Sequence, residues 1–211
     1  IKPEVPGGFR DYLPAKMIQR QKMLDIIRQV YESFGFSPLE TPAVEKTEVL
    51  VGGESNTKRI FNVNPSQVED GEGRQKMSLR FDLTVPLARV VAANLSDLPK
   101  PFRRYQCAKV WRGERPAAGR YREFMQFDAD IVGANSMLAD AEIIWLMWST
   151  MTALGFNRFV IRFNNRKILN ALSERLGLGD ASSSSAKQFF RILDKLDKIN
   201  WEAVKKDLQS V

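Results

Sequence analysis

Residues 110–133 read VWRGERPAAGRYREFMQFDADIVG. Two strand-like runs flank a short loop of Gly, Pro and Ala, a pattern that predicts a β-hairpin. Arg112, Glu114, Arg115, Arg120 and Arg122 crowd around its tip. Strands usually hide one apolar face and wet the other, so this hairpin must place several guanidiniums on one face. A guanidinium is a rigid, always-charged fork that suits phosphate and carboxylate oxygens. A solvated basic ribbon has the same composition, and the hairpin alone leaves both readings open.

Working outward, Pro14 suits a first helical position, where its missing N–H costs nothing. Met17, Leu24, Ile27, Tyr31 and Phe34 then recur on one helical face, and Gly35 is a plausible stop. Strand-like runs follow at 36–40, 59–63 and 76–80, and the polar stretch 66–73 reads as a hairpin turn between the last two. Residues 83–94 read as a helix with Pro86 in its first turn. The hairpin strands should run from about 102 to 112 and from 120 to 132. Ser136 can cap a long helix ending near Gly155, and its IIWLMW run at 143–148 is apolar all round. Such a helix is expected to be mostly buried. A further strand at 159–163 and a helix at 165–176 precede a break rich in Gly, Ser and Asp at 177–185. Two amphipathic helices complete the chain. The expected fold class is α+β, a mainly antiparallel sheet flanked by helices. Residues 1–176 would form a core, and residues 177–211 a small helical insertion or the start of a second module.

Composition narrows the chemistry. The 211 residues carry a net charge of +7, which favours polyanionic partners without proving one. There is no histidine, which closes off Ser-His-Asp and Cys-His catalysis, histidine metal sites and histidine proton relays. The single cysteine, Cys107, excludes an internal disulfide and a zinc cluster, and in a strand-like run it reads as a buried, inert thiol. The longest apolar stretch is far shorter than the ~20 residues that span a bilayer. No secretory signal is recognised and the chain begins without Met, so it reads as a fragment or processed piece of a cytoplasmic protein with no membrane partner.

Several separated segments resemble class II aminoacyl-tRNA synthetases, and in particular the histidyl-tRNA synthetase family. Trp111-Arg112-Gly113-Glu114-Arg115-Pro116 and Gly119-Arg120-Tyr121-Arg122-Glu123-Phe124 resemble the family's motif 2. Pro6-Gly7-Gly8-Phe9-Arg10-Asp11-Tyr12-Leu13-Pro14 resembles its opening segment. Phe34-Gly35-Phe36 with Leu39-Glu40-Thr41-Pro42 resembles motif 1, near the dimer interface in the family. Ser78-Leu79-Arg80-Phe81-Asp82-Leu83-Thr84-Val85-Pro86 resembles the segment that recognises the α-amino group of the amino acid.

The resemblance implies a histidine–tRNA ligase that activates histidine with ATP, Mg2+ accompanying it, and transfers the acyl group to tRNA(His) as a homodimer. It places ATP on Arg112, Glu114, Arg115, Arg120 and Phe124, with Arg112 at the α-phosphate and Phe124 on adenine. It places histidine on Asp82, Thr84, Gln126 and Asp130. Metal ligands are not implied. Two of these residues keep structural alternatives: Asp82 could cap the helix that follows it, and Asp130 could pair across strands with Arg122. The family's histidine-recognition segment, Gly-rich motif 3 and anticodon-binding domain are not found. The core is therefore read as incomplete, and the isolated piece is expected to be catalytically weak or inactive. Two other functions stay open: a synthetase-like regulatory subunit of ATP phosphoribosyltransferase, and a non-catalytic RNA-binding or dimerisation fragment.

Overall fold

The computed structural model describes residues 2–52, 60–63, 75–180, 182–196 and 200–208. By its internal contacts the chain divides into two compact units, Ile1–Phe159 and Val160–Val211.

The first unit is built around the arginine-rich hairpin. Strands β5 (Phe102–Trp111) and β6 (Glu123–Val132) pair antiparallel over their whole length, from Phe102↔Val132 to Trp111↔Glu123. A two-residue strand, β1 (Ser37–Pro38), joins the β5 edge in parallel. A second sheet, in the order β2 (Val44–Lys46), β4 (Met77–Leu79), β3 (Phe61–Val63), is antiparallel throughout. The class is α+β and mainly antiparallel, as expected, with two small sheets and one parallel pair at β1. The turn expected at 66–73 lies outside the described residues.

Helix α1 (Pro14–Ser33) starts with Pro at its first turn and stops where Gly35 turns left-handed at φ 77°. Its Tyr31 packs edge-on against Tyr105 and Phe127, at 5.8 and 6.0 Å between ring centroids. Tyr31 and Tyr105 join Phe36, Leu146 and Ile131 in one apolar cluster. Side chains alternate along a strand, so this cluster uses one face of β5 and β6 and leaves the other face for different work. Helix α3 (Thr84–Ala93) buries Pro86 and Leu87. The short helix α2 (Thr47–Val51) follows β2, and neither was expected from sequence. What holds β2 in place is tertiary: Glu45, buried, takes a two-pronged bond from Arg89 of α3 at 2.7 to 3.0 Å.

Helix α4 (Met137–Ala153) has its expected cap, Ser136 Oγ accepting from the Leu138 N–H at 3.2 Å. The expectation that it is mostly buried is wrong. Leu146 and Thr150 are buried, whereas Trp145 is 62% and Trp148 51% exposed. A helix that is apolar all round buries only as much of itself as has neighbours. Here α1 and the sheet take one side.

In the second unit, α5 (Arg166–Arg175), α6 (Ser184–Leu193) and α7 (Trp201–Leu208) begin at side-chain caps from Asn165, Ser183 and Asn200. Ala186 and Ile192 of α6 and Val204 of α7 are buried. The strand expected at 159–163 does not form: the segment is irregular, with Val160 82% and Phe163 77% exposed. A strand exists only by pairing, and among the described residues this segment has no ladder partner.

Candidate active site

The register of the hairpin decides which residues meet. Val110, Ala108, Gln106 and Arg104 of β5 stand opposite Phe124, Gln126, Asp128 and Asp130 of β6. Directly opposed residues share a face, and this is the face turned away from Tyr105 and Phe127. It forms a polar strip about 20 Å long from Phe124 to Asp130, at ~3.4 Å per residue.

Arg112 lies at the Phe124 end. Its guanidinium carbon is 5.0 Å from the Phe124 ring centroid, within cation–π range. Its Nε donates to the Phe81 carbonyl at 3.1 Å and its backbone N–H to Arg122 O at 2.8 Å. Beyond it the loop closes through a tight turn: Ala117 and Arg120 exchange backbone bonds of 3.1 and 2.9 Å around Gly119, whose φ is 74°. Glu114 and Arg120 form an ion pair there, and Arg115 is exposed.

Arg122 does not pair with Asp130. Its Nε donates to Glu114 O at 3.0 Å, its Nη1 to Gly7 O at 3.2 Å, and its backbone N–H to Gly8 O at 2.8 Å. The register is the reason. Arg104 stands opposite Asp130, while Arg122 precedes β6 and serves to stitch the N-terminal segment to the loop.

At the other end, Asp130 Oδ2 lies 2.6 Å from Arg104 Nη2. The approach is off the hydrogen-bonding direction, so Oδ2 has no aligned donor despite the close ion contact. Gln126 donates from Nε2 to Asp128 Oδ2 at 3.3 Å. Burial pushes the Asp128 and Asp130 carboxyls above the usual carboxylate range, and the Arg104 charge opposes this in both. Asp82 accepts the Val85 N–H at 3.2 Å, so it does cap α3, and its charge still reaches Arg104 and Asp128. Thr84 is exposed at the first position of that helix.

The structure thus gathers Arg112, Phe124, Gln126 and Asp130 on one strip, Asp82 beside it, and Glu114 and Arg120 at the loop tip. The sequence reading missed Arg104 and Asp128. For Asp128 strand alternation was the available signal, since it lies midway between Gln126 and Asp130; Arg104 is brought opposite Asp130 only by the register. It also missed Arg80, 5% exposed, whose Nε donates to Lys109 O at 2.9 Å and Nη1 to Thr41 O at 2.6 Å. Arg80 fixes the motif-1-like turn against β5. Cys107 is half-buried rather than buried, and burial pushes its thiol up while Arg28 and Arg20 oppose this.

The sequence pattern of the histidyl-tRNA synthetase family matches residues 8–209. A histidine–tRNA ligase of Clostridium tetani is 46% identical over 100% of this chain and 46% of its own length. The chain belongs to the histidyl-tRNA synthetase family. Among solved structures, a histidyl-tRNA synthetase from Nostoc superposes with a TM-score of 0.85 and 39% identity, covering 100% of this chain and 45% of that one. A Bacillus halodurans protein described as an ATP phosphoribosyltransferase regulatory subunit/histidyl-tRNA synthetase gives a TM-score of 0.79 and 25% identity, over 99% and 51%. The chain spans about half the length of the curated histidine–tRNA ligases it matches. No described helix is long and apolar enough to cross a membrane.

Proposed function

We propose that this chain is part of a histidine–tRNA ligase. The enzyme activates histidine with ATP as histidyl-adenylate and passes the acyl group to tRNA(His). The observation that supports this best is the polarity of one strip: a guanidinium over an aromatic ring at one end, and carboxylates with an amide at the other. An aminoacyl-adenylate is an extended molecule with a flat base at one end and a cationic group at the other, and the strip matches it in order.

In the first step a histidine carboxylate oxygen bonds to the α-phosphorus of ATP, and the bond to the β-phosphate breaks to release pyrophosphate. The nucleophile is already ionised at neutral pH, so no protein base is required and a chain without histidine can host it. The requirement is positioning and positive charge. Arg112, steered by its Nε bond to Phe81 O, is assigned to the α-phosphate through its Nη groups. Phe124 is assigned to adenine. Glu114 is assigned to orienting the adenine amino group or Arg112, and Arg115 and Arg120 to the outer phosphates or loop order. Asp82 and Thr84 are assigned to the α-amino group, and Gln126 and Asp130 to facing the histidine substrate. Mg2+ is expected to accompany ATP as part of the MgATP substrate, which is how this ion usually binds beside phosphates.

Residues 1–176 are read as part of the catalytic core and 177–211 as a helical insertion. The full protein is read as a cytoplasmic homodimer joined near the motif-1-like segment. The Bacillus halodurans likeness favours a second reading, a regulatory subunit of ATP phosphoribosyltransferase. The retained Arg112–Phe124 pair and the higher identity to ligases favour the first. Histidine-dependent ATP–pyrophosphate exchange separates them, run on the full-length protein and on this 211-residue chain. Exchange in the full-length protein, slowed ~10²–10³-fold by Arg112→Ala, supports the ligase. A folded protein that binds histidine without exchange supports the regulator.

A further inference from the structure

Arg104 heads the fully buried side chains by volume, at 0% exposure. A buried guanidinium is costly unless carboxylates pair with it and its donors are met. Charge pairing is ample: Asp130, Asp128 and Asp82 all act on it. Its hydrogen bonds are incomplete. Nη2 reaches Leu83 O at 3.3 Å, but Nε and Nη1 have no partner among the described residues. On the acceptor side, Gln126 Oε1 and Asp130 Oδ2 are also without aligned donors. Three carboxylates acting on one guanidinium leave a surplus of negative charge. Such a surplus beside a half-open carboxylate suits a ligand that brings N–H donors and positive charge.

We infer that Arg104 is a positioning residue for the amino-acid end of the site, holding Asp130, with Asp128 beside it on the same face, as a fixed acidic floor for the cationic, N–H-bearing part of the substrate. That the substrate is histidine rests on the ligase reading. One guanidinium ties three elements together: β5 carries it, β6 supplies Asp130, and Leu83 anchors it at the start of α3, next to Asp82. Asp130 keeps 30% side-chain exposure while Arg104 is sealed, so the carboxylate meets the ligand and the arginine acts through it. Lysine would keep the charge but replace a planar fork by a point charge, and could not hold Asp130 and Leu83 O in the same geometry.

The test is calorimetric titration of histidine, and separately of ATP, into the full-length protein. Arg104→Lys is expected to weaken histidine about tenfold or more, with ATP affinity held within about twofold and the thermal midpoint little changed. Asp128→Asn leaves the Arg104–Asp130 contact standing. It is expected to weaken histidine by a smaller factor, and it carries the test if Arg104→Lys does not fold. Wild-type histidine affinity in Asp128→Asn and in any folded Arg104→Lys overturns the inference, as does an equal loss of histidine and ATP. Histidine binding without ATP–pyrophosphate exchange removes the ligase reading and leaves the inference to be decided by the variants' affinities. A wild-type protein that binds no histidine overturns both.

Discussion

Arg104 and Arg120 belong to the same hairpin and each pairs with a carboxylate, yet the Arg104 side chain is 0% and that of Arg120 64% exposed. In water two unit charges about 4 Å apart attract by ~1 kcal/mol, and near a protein surface by ~4 kcal/mol. Desolvation grows alongside the attraction, so a sealed pair adds little net stability when whole and costs much when half of it is removed. At the loop tip the Arg120 side of the pair stands in solvent, so its charge is screened. The difference places rigidity at the floor of the strip and tolerance at the loop tip.

The sharpest way to break this comparison is Arg104→Met. It strands Asp130 beside a buried apolar chain and should cost about 3–5 kcal/mol of unfolding free energy in urea. Adding Asp130→Leu should recover most of that loss, and no recovery would mean that the contact is not the source. Arg112, half-buried and held by a carbonyl, lies between the extremes. Arg112→Ala should slow pyrophosphate exchange by ~10²–10³-fold, about 2.7–4 kcal/mol in barrier, while the thermal midpoint stays close to wild type.

Tyr105 carries the comparison to the apolar face. It is 5% exposed, its hydroxyl donates to Glu32 Oε1 at 2.6 Å, and burial first, then that bond, push its pKa from 10.0 up to about 12. An acid whose folded pKa is raised holds its proton longer in the folded state. Stability therefore falls as pH rises from 10 to about 12, by ~2–3 kcal/mol for a shift of this size. Tyr105→Phe should flatten that limb, measured as the pH dependence of unfolding for the two proteins.

Gly8→Ala probes the stitch made by Arg122. Gly8 has φ 88°, and a Cβ there would lie 2.9 Å from Arg122 Cγ. The loss should be about 1–3 kcal/mol, read from the denaturation midpoint. The smallest effect belongs to Arg120→Gln, about 0.5 kcal/mol or less and shrinking further with added salt. A loss as large as that of Arg104→Met would erase the distinction between floor and tip.

Much of the fold was legible because local patterns agree with it. The Ser136 cap, Pro14, Gly35 and the turn at Gly119 act within a few residues, so neighbouring sequence suffices to place them. The strip is legible in part: motif resemblance names Arg112, Phe124, Gln126 and Asp130, and alternation alone puts Phe124, Gln126 and Asp130 on one face. Arg104 was passed over because an Arg-Arg pair at the start of a strand gives no sign of which arginine faces inward.

The sequence by itself determined the hairpin, its polarity from Phe124 to Asp130, the helix starts, and that these 211 residues hold no histidine and one cysteine. Tertiary structure alone decided that Arg104 is sealed under Asp130, that Arg122 binds backbone rather than carboxylate, and that residues 159–163 form no strand. It also decided that β2 exists, and that α4 buries Leu146 while Trp145 and Trp148 stay exposed. Caps, turns and alternation are set by neighbours in the chain. Burial, ladder pairing and ion-pair choice depend on residues many positions away, and those distances close only on folding.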